Sequence, residues 1–203
     1  MLTINNITCI KNQQVIFKNL GFSAGEGSCI ILKGGNGSGK TTLLRTIAGL
    51  CQPESGNILW DEENIQDFYP DFSSNINYIG HKNFLKPQLD ILQNIEFFAS
   101  LAQSELLIPS AVKYFDLAEK LSTPIKNLSA GWQKKVLLSK LIYFPADIWL
   151  LDEPSVNLDQ KNKEKLFNLI ATKVKEGGLA IIASHDDIFD NLGAKFYLQD
   201  FKK

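Results

Sequence analysis

The sequence predicts an α/β fold in which a parallel β-sheet carries helices on both faces. Runs that are apolar on both faces, as buried parallel strands are, occur at 30–32, 148–151 and 179–183. Segments with apolar residues at helical spacing alternate with these runs, and glycine or proline separates many of them. An alternation of strands and helices is typical of a parallel sheet with helices packed on it.

The N-terminal part, to about Trp60, is predicted to be β-structure because short apolar segments recur there between glycines. These segments are 2–4, 15–17 and 28–32. A helix is predicted at 40–48, where leucine and isoleucine recur at helical spacing before Gly49. A further strand is predicted at 75–80.

The middle of the chain is predicted to be helical. From 91 to about 121 the apolar residues follow helical spacing, and Ser129 begins another helix that Pro145 ends. These helices predict a helical subdomain at about 85–144, inserted into a single domain of 203 residues. After them come a buried strand, a lysine-rich helix and a last buried strand.

Composition narrows the classes of function. Hydrophobic residues make up 44% and charged residues 21%, which is ordinary for a globular protein. The formal net charge is −1, whereas nucleic-acid binders usually carry a basic excess, so no nucleic-acid partner is expected. No apolar run approaches the ~18–20 residues that a membrane span needs. Cys9, Cys29 and Cys51 are widely separated, which predicts small buried side chains in a reducing cytosol.

A glycine-rich loop between the strand at 28–32 and the next helix matches the pattern G-x-x-x-x-G-K-[ST]. The predicted nucleotide-binding residues are Gly34, Gly35, Asn36, Gly37, Ser38, Gly39, Lys40, Thr41 and Thr42. The glycines let successive backbone N–H groups surround phosphates, to which the helix adds its positive end. Lys40 is expected to contact the β- and γ-phosphates, and the Thr41 hydroxyl to reach Mg²⁺.

Polar side chains that could carry out hydrolysis follow two of the predicted strands. Asp152 and Glu153 come directly after the run at 148–151. Asp152 is expected to hold Mg²⁺, and Glu153 to polarise the attacking water. His185 follows the strand at 179–183 and is expected to hydrogen-bond the γ-phosphate and the water. We therefore predict Glu153 and His185 as catalytic residues.

A second candidate anion site is the helix start NLSAGWQ at 127–133, in which Ser129 stands at the cap. The motifs occur in the order P-loop, LSAG, LLDEP, NLD at 157–159 and ASHD. This order resembles that of the ATP-binding cassette (ABC) ATPases over essentially the whole chain. The resemblance implies a P-loop NTPase fold of the ABC type, with an N-terminal antiparallel β subdomain and an inserted helical subdomain.

The resemblance also implies how two copies of the chain share ATP. In the family, two cassettes face head to tail, and each ATP lies between the P-loop of one chain and the LSAG helix start of the other. Ser129, Ala130 and Gly131 would contact the γ-phosphate bound to the partner, and Asp159 would couple the two sites. The expected state with ATP and Mg²⁺ bound is a homodimer.

Three positions depart from the family pattern. Trp132 stands where the usual LSGGQ has its glutamine, and its flat indole could pack over a ribose. Lys11 occupies the position at which an aromatic residue normally stacks on adenine, which predicts loose base discrimination. His81 stands at the loop position that commonly carries a glutamine. In the family that glutamine contacts Mg²⁺ and the membrane partner, and His81 is expected either to do the same or to have a structural role.

The runs at 78–89 and 93–98 narrow the resemblance to the ATPase subunits of the bacterial cytochrome c maturation system, usually described as a haem exporter. That resemblance implies integral membrane subunits as partners and a peripheral location on the cytoplasmic face of the inner membrane. ATP hydrolysis would energise haem export or the release of haem from its chaperone. The alternatives are an ABC subunit for another cargo, a non-transport ABC ATPase and a small P-loop kinase.

Overall fold

The computed structural model describes residues 1–80 and 84–201. The strands are β1 (Leu2–Lys11), β2 (Gln14–Ala24), β3 (Cys29–Lys33), β4 (Ser55–Trp60), β5 (Glu63–Asn64), β6 (Ile76–Ile79), β7 (Ile148–Asp152), β8 (Leu179–Ala183) and β9 (Ala194–Tyr197). The α-helices are α1 (Lys40–Ile47), α2 (Tyr69–Ser74), α3 (Ile91–Leu101), α4 (Ile108–Tyr114), α5 (Ala130–Tyr143) and α6 (Gln160–Lys175).

A five-stranded parallel sheet forms the centre of the fold, in the order β6-β7-β8-β3-β9. Every residue of β7 and β8 is buried, as the apolar runs predicted. Because the strands are parallel, their carboxyl ends meet at one edge of the sheet. The loops that follow β3, β7 and β8 therefore lie beside one another.

A second, antiparallel sheet has the order β2-β1-β4-β5. Alternate residues of the parallel strands face opposite sides, so the buried apolar side chains form two clusters. Ile181 belongs to the cluster shared with the antiparallel sheet and α1, whereas Ile182 belongs to the cluster shared with α3, α4, α5 and α6. The predicted α/β class, with helices on both faces and an antiparallel β part, is confirmed.

The segment from 91 to 121 is less regular than its helical pattern predicts. The helix α3 ends at Leu101, and Gln103 has a left-handed backbone (φ 51°) that does not continue a helix. A 3₁₀ turn at Glu105–Leu107 then leads into α4, where Pro109 occupies the first turn. The limits of the helical subdomain, 85–144, and the single domain over 1–203 stay predictions.

Three short elements were not predicted, the helix α2 and the edge strands β5 and β9. The strand β9 contains mostly exposed or half-buried residues and therefore lacks the apolar run by which buried strands are found. Within the described part of the chain, no helix combines the length and the apolar character needed to cross a bilayer.

Candidate nucleotide-binding site

The glycine-rich loop joins the buried strand β3 to α1. Three of its glycines have positive φ angles, 152° at Gly34, 71° at Gly37 and 101° at Gly39. A Cβ atom at Gly39 would lie 2.6 Å from Cγ2 of Ile16, and one at Gly34 would lie 2.7 Å from the Ser38 hydroxyl. Glycine is therefore required at both positions by backbone conformation and by space.

Lys40 begins α1, and its side chain lies in the middle of the loop. Its Nζ donates hydrogen bonds to the carbonyl oxygens of Gly34, at 2.7 Å, and Gly35, at 3.3 Å. Burial lowers the pKa of Lys40, and the nearby carboxylates Glu153 and Asp152 partly oppose this shift. The ammonium therefore stands at the amino end of a helix, where positive charge and free amides both favour an anion.

Asp152 and Thr41 contact each other across the edge of the sheet. The Thr41 hydroxyl donates to Oδ2 of Asp152 at 2.8 Å, and Asp152 is only 2% exposed. A hydroxyl and a carboxylate beside a phosphate loop are oxygen donors of the kind that Mg²⁺ prefers. These two residues therefore fit a magnesium ion that is also bound by phosphate oxygens.

Glu153 has a left-handed backbone, with φ 47°. Its backbone N–H donates to the carbonyl of Ala183 at the end of β8, at 2.8 Å. Its carboxylate lies beside His185, whose backbone N–H donates to Oε2 at 3.4 Å and whose Nε2 lies 3.6 Å from Oε1. A non-glycine residue in this conformation costs roughly 1–3 kcal/mol and persists only where its surroundings hold it.

His185 connects the acidic end of β7 with the glycine-rich loop. Its Nε2 lies 3.1 Å from Nζ of Lys40 and 3.1 Å from Oδ1 of Asn36. One contact of Nε2 is with a donor and the other with an acceptor, so which of them is a hydrogen bond depends on the tautomer of the ring. The imidazole is half exposed and lies beside the glycine-rich loop.

A cavity of about 430 Å³ lies over these groups. It is lined by Lys11, Ile16, Asn36, Gly37, Ser38, Gly39, Lys40, Thr41, Thr42, Asp152 and Glu153. Most of the predicted nucleotide-binding residues thus come together with both acids. Lys11 and Ile16 extend the cavity along β1 and β2. The sequence pattern indicated Lys11 only as the replacement for an aromatic residue, and it did not indicate Ile16.

The LSAG segment, residues 128–131, begins α5 elsewhere on the molecule. Ser129 is the N-cap residue, and its hydroxyl accepts a hydrogen bond from the backbone N–H of Trp132 at 3.4 Å. Among the described residues, none of the LSAG segment lines the 430 Å³ cavity. Ala130 instead lines a neighbouring cleft of about 130 Å³, which also contains Lys134 and Asn157 and shares Glu153 with the larger cavity.

Glycine is required at position 131, because a Cβ there would lie 2.8 Å from the carbonyl oxygen of Asn157. Trp132 packs within its own chain, with Nζ of Lys135 3.4 Å and Nζ of Lys120 4.6 Å from its ring. Such cation–π contacts contribute about 0.5–1 kcal/mol at exposed sites. These two contacts hold the indole between Lys120 and Lys135 of its own chain.

Asp159 is the N-cap residue of α6. Its Oδ1 accepts hydrogen bonds from the backbone N–H and the side-chain amide of Asn162, both at 2.8 Å. These hydrogen bonds lower the pKa of the Asp159 carboxyl. The last predicted site residue, His81, lies outside the described residues.

Lys134 was not predicted as a site residue, although its side chain contacts the backbone of Glu153. It lies on α5, and its Nζ donates to the backbone carbonyl of Glu153 at 3.0 Å. Burial lowers the pKa of Lys134 to about 8, with Asp152 and Glu153 partly opposing the shift, so the ammonium remains mostly charged at pH 7. The sequence carried no signal for this contact, because lysine on a helix is usually a solvated residue.

A phosphate loop after a buried strand, with carboxylates at the end of a second strand of the same sheet, defines a P-loop nucleoside triphosphatase. The family model that matches the chain is "ABC transporter", over residues 17–156. The structure is similar to "Structure of ATP binding subunit of ABC transporter", with a TM-score of 0.85, 21% identity and coverage of 97% of this chain and 85% of that one. It is also similar to "Dimeric Structure of MJ0796, a Bacterial ABC Transporter Cassette", with a TM-score of 0.84, 24% identity and coverage of 97% and 94%. At these identities the structures establish the fold.

Relatives with higher sequence identity show to which group of this family the chain belongs. The chain is 41% identical over 185 residues to the cytochrome c biogenesis ATP-binding export protein CcmA of Wolbachia pipientis wMel, which covers 91% of this chain and 89% of that protein. It is 36% identical over 191 residues to the CcmA protein of Aliivibrio fischeri, with 93% and 94% coverage. The chain therefore belongs to the ABC transporter family, in its CcmA group of cytochrome c biogenesis export ATPases, and it binds ATP. The predicted family and fold class are confirmed.

Proposed function

We propose that the protein is the ATP-hydrolysing subunit of a membrane exporter that serves cytochrome c biogenesis, and that it works as a pair of identical chains. One observation carries the pairing: no described residue of the LSAG helix start lines the triphosphate cavity of its own chain. A helix start of this kind is available to the cavity of a second chain. The dimeric structure of the similar MJ0796 cassette supports this arrangement.

Binding of the triphosphate follows from the glycine-rich loop. Backbone N–H groups of the loop and of the first turn of α1 donate to phosphate oxygens, because no side chain caps α1. Nζ of Lys40 moves its hydrogen bonds from the carbonyls of Gly34 and Gly35 to the β- and γ-phosphates. Thr41 and Asp152 would hold Mg²⁺, which would supply positive charge to the phosphates.

Hydrolysis requires that water attack the γ-phosphorus while the bond to the ADP oxygen breaks. The Glu153 carboxylate accepts a hydrogen bond from that water and orients it in line with the bond that breaks. His185 has its backbone N–H against Glu153 and its ring beside Lys40, so it lies between the water and the phosphate. Both side chains act by positioning and polarising the attacking water.

The partner chain completes the site. The Ser129 hydroxyl, Ala130 and the backbone N–H of Gly131 contact the γ-phosphate that is bound to the other chain, at the positive end of α5. Asp159, as the cap of α6, transmits the state of one site to the other. Moving a two-state equilibrium from 1:99 to 99:1 needs about 5.5 kcal/mol of differential binding. Two γ-phosphates, each held by two chains through charge-assisted hydrogen bonds, supply it.

The partners outside the pair are integral membrane subunits, and the protein is peripheral on the cytoplasmic face of the inner membrane. The support is the relationship to the CcmA export proteins. The energy of hydrolysis drives haem export or the release of haem from its chaperone. An ABC exporter of another cargo would have the same ATPase geometry, because cargo contacts would lie in the membrane subunits.

The membrane partnership is tested by purifying the tagged protein from solubilised membranes and identifying the bound subunits by mass spectrometry. We expect multi-span proteins of the cytochrome c maturation type, and their loss from strains that lack cytochrome c synthesis genes. Recovery of unrelated exporter subunits would favour another cargo. Recovery of ribosomes that survives moderate salt would contradict the transport function.

Ser129→Arg is expected to leave ATP binding to the isolated chain within about twofold and to lower turnover at least about tenfold. The reason is that arginine would remove the hydroxyl that contacts the partner's γ-phosphate and would fill the space into which that nucleotide must fit, whereas no described residue of the LSAG segment lines the chain's own cavity. ATP affinity, melting temperature and steady-state turnover are measured together.

The matched control for this change is Ser110→Arg, on an exposed position of α4. Because Ser129 caps α5, its loss costs about 1 kcal/mol of stability, which the melting temperature reports separately. Unchanged turnover in Ser129→Arg would show that the second helix start does not act on the partner's nucleotide.

A further inference from the structure

Lys134 connects α5 directly to the backbone of the proposed catalytic glutamate. The lysine lies five residues after Ser129, about 7.5 Å further along the same helix. Its Nζ donates to the carbonyl oxygen of Glu153 at 3.0 Å. The cleft between them also contains Ala130 and Asn157. The start of α5 and the segment after β7 therefore meet at this lysine.

A few contacts hold the backbone of Glu153 in its unusual conformation. Its left-handed φ of 47° is disfavoured for a residue with a side chain, so neighbouring groups must hold it. On the amide side, the N–H donates to Ala183 at 2.8 Å. On the carbonyl side, the backbone N–H of Val156 approaches only to 3.4 Å, whereas Lys134 approaches to 3.0 Å and carries a charge. A hydrogen bond from an ammonium is stronger than one from an amide.

We propose that Lys134 is a positioning residue: it holds the peptide that follows Glu153, and it thereby aims the Glu153 carboxylate and links it to the helix start at Ser129. This inference rests on the proposed ATPase mechanism, in which Glu153 positions the water. A displacement of about 1 Å in a positioned group can reduce a rate about 100-fold. Lys134 is not among the described residues that line the triphosphate cavity, so its loss changes the chemical step and not the binding of ATP.

The test is steady-state ATP hydrolysis by Lys134→Met and Lys134→Gln, two neutral variants of similar length. We expect kcat to fall about 10- to 100-fold, while KM and the ATP dissociation constant stay within about twofold. Lys134→Arg keeps a charged donor and is expected to recover at least about a third of the wild-type kcat.

The matched control is Lys140→Met, on the same helix. Burial also lowers the pKa of Lys140 to about 8, and its Nζ lies over the rings of Phe144, at 4.4 Å, and Phe84, at 5.2 Å. The control therefore removes a partly buried lysine from α5 without removing the contact with Glu153. We expect its kcat to stay within about twofold of the wild type.

A double-variant comparison separates positioning from a general structural role. If Lys134 acts through the Glu153 carboxylate, Lys134→Met should slow Glu153→Gln by less than about twofold, because the group that it aims is already absent. A full additional loss, or a rise in KM with unchanged kcat, would overturn the proposal.

Different results would contradict the proposed ATPase mechanism and the proposed role of Lys134. If Glu153→Gln keeps the wild-type rate, the proposed ATPase mechanism is wrong. If Glu153→Gln is inactive but both neutral Lys134 variants hydrolyse ATP at the wild-type rate, the mechanism stands and the role of Lys134 is wrong.

Discussion

Glu153→Gln is expected to slow ATP hydrolysis by about 10²- to 10⁴-fold and to leave ATP binding intact. Glutamine has nearly the same shape as glutamate but is a much weaker hydrogen-bond acceptor for the attacking water. The carboxylate lies beside His185 and lines the cavity, but it is not one of the groups that we expect to bind the phosphates. The chemical step is therefore lost while the triphosphate remains bound.

The same variant should collect as a stable pair of chains in the presence of ATP and Mg²⁺. In the proposed pair, ATP links the P-loop of one chain to the LSAG helix start of the other, so a chain that cannot cleave ATP should not release its partner. Size-exclusion chromatography with light scattering measures this directly. A variant that stays monomeric with ATP at high protein concentration would contradict the shared site.

Glu26→Gln is the matched control, because Glu26 is exposed in the loop between β2 and β3 and is not among the described residues that line the cavity. It makes the same chemical change at the surface. We expect this control to hydrolyse ATP at the wild-type rate and to dissociate after turnover.

Lys40→Ala is expected to weaken ATP binding at least about 100-fold, which corresponds to about 2.7 kcal/mol. Lys40 is 6% exposed, and its ammonium lies among carbonyl groups at the amino end of α1. Its charge therefore acts on the phosphates with little screening by water. Removing it leaves the loop amides as the main binding groups.

Titration with a fluorescent ATP analogue and isothermal calorimetry both measure this loss. Lys18→Ala, which removes an exposed lysine from β2, is the control and should bind ATP normally. Melting temperatures in the absence of nucleotide show whether the variant folds, because its ATP affinity is meaningful only if it does. Binding within about threefold of the wild type in a folded variant would contradict the role of Lys40.

The part of the candidate site around the glycine-rich loop could be located from the sequence, because its residues adjoin strands with a strong apolar signal. Residues 34–42 follow β3, Asp152 ends β7 and Glu153 comes directly after it, and His185 follows β8. Once parallel strands are assigned, their carboxyl ends must lie side by side, so local motifs are enough to locate the site.

Contacts between distant and chemically ordinary residues could not be predicted in this way. Lys134 and Glu153 are 19 residues apart and meet only because α5 packs beside the end of β7. Lys11 and Ile16 join the cavity because β1 and β2 run past the glycine-rich loop. The break between α3 and α4 likewise depends on a left-handed residue, Gln103, that carries no strong turn signal.

The sequence by itself determined the buried strands of the parallel sheet, the glycine-rich loop, the two acids and the resemblance to ABC ATPases, because each rests on a local pattern of residue types. Only the tertiary structure decided that the LSAG helix start stands outside its own chain's triphosphate cavity, and that Lys134 holds the carbonyl of Glu153. Both depend on where α5 lies against the sheet. That placement follows from the packing of many apolar side chains at once, and no single segment encodes it.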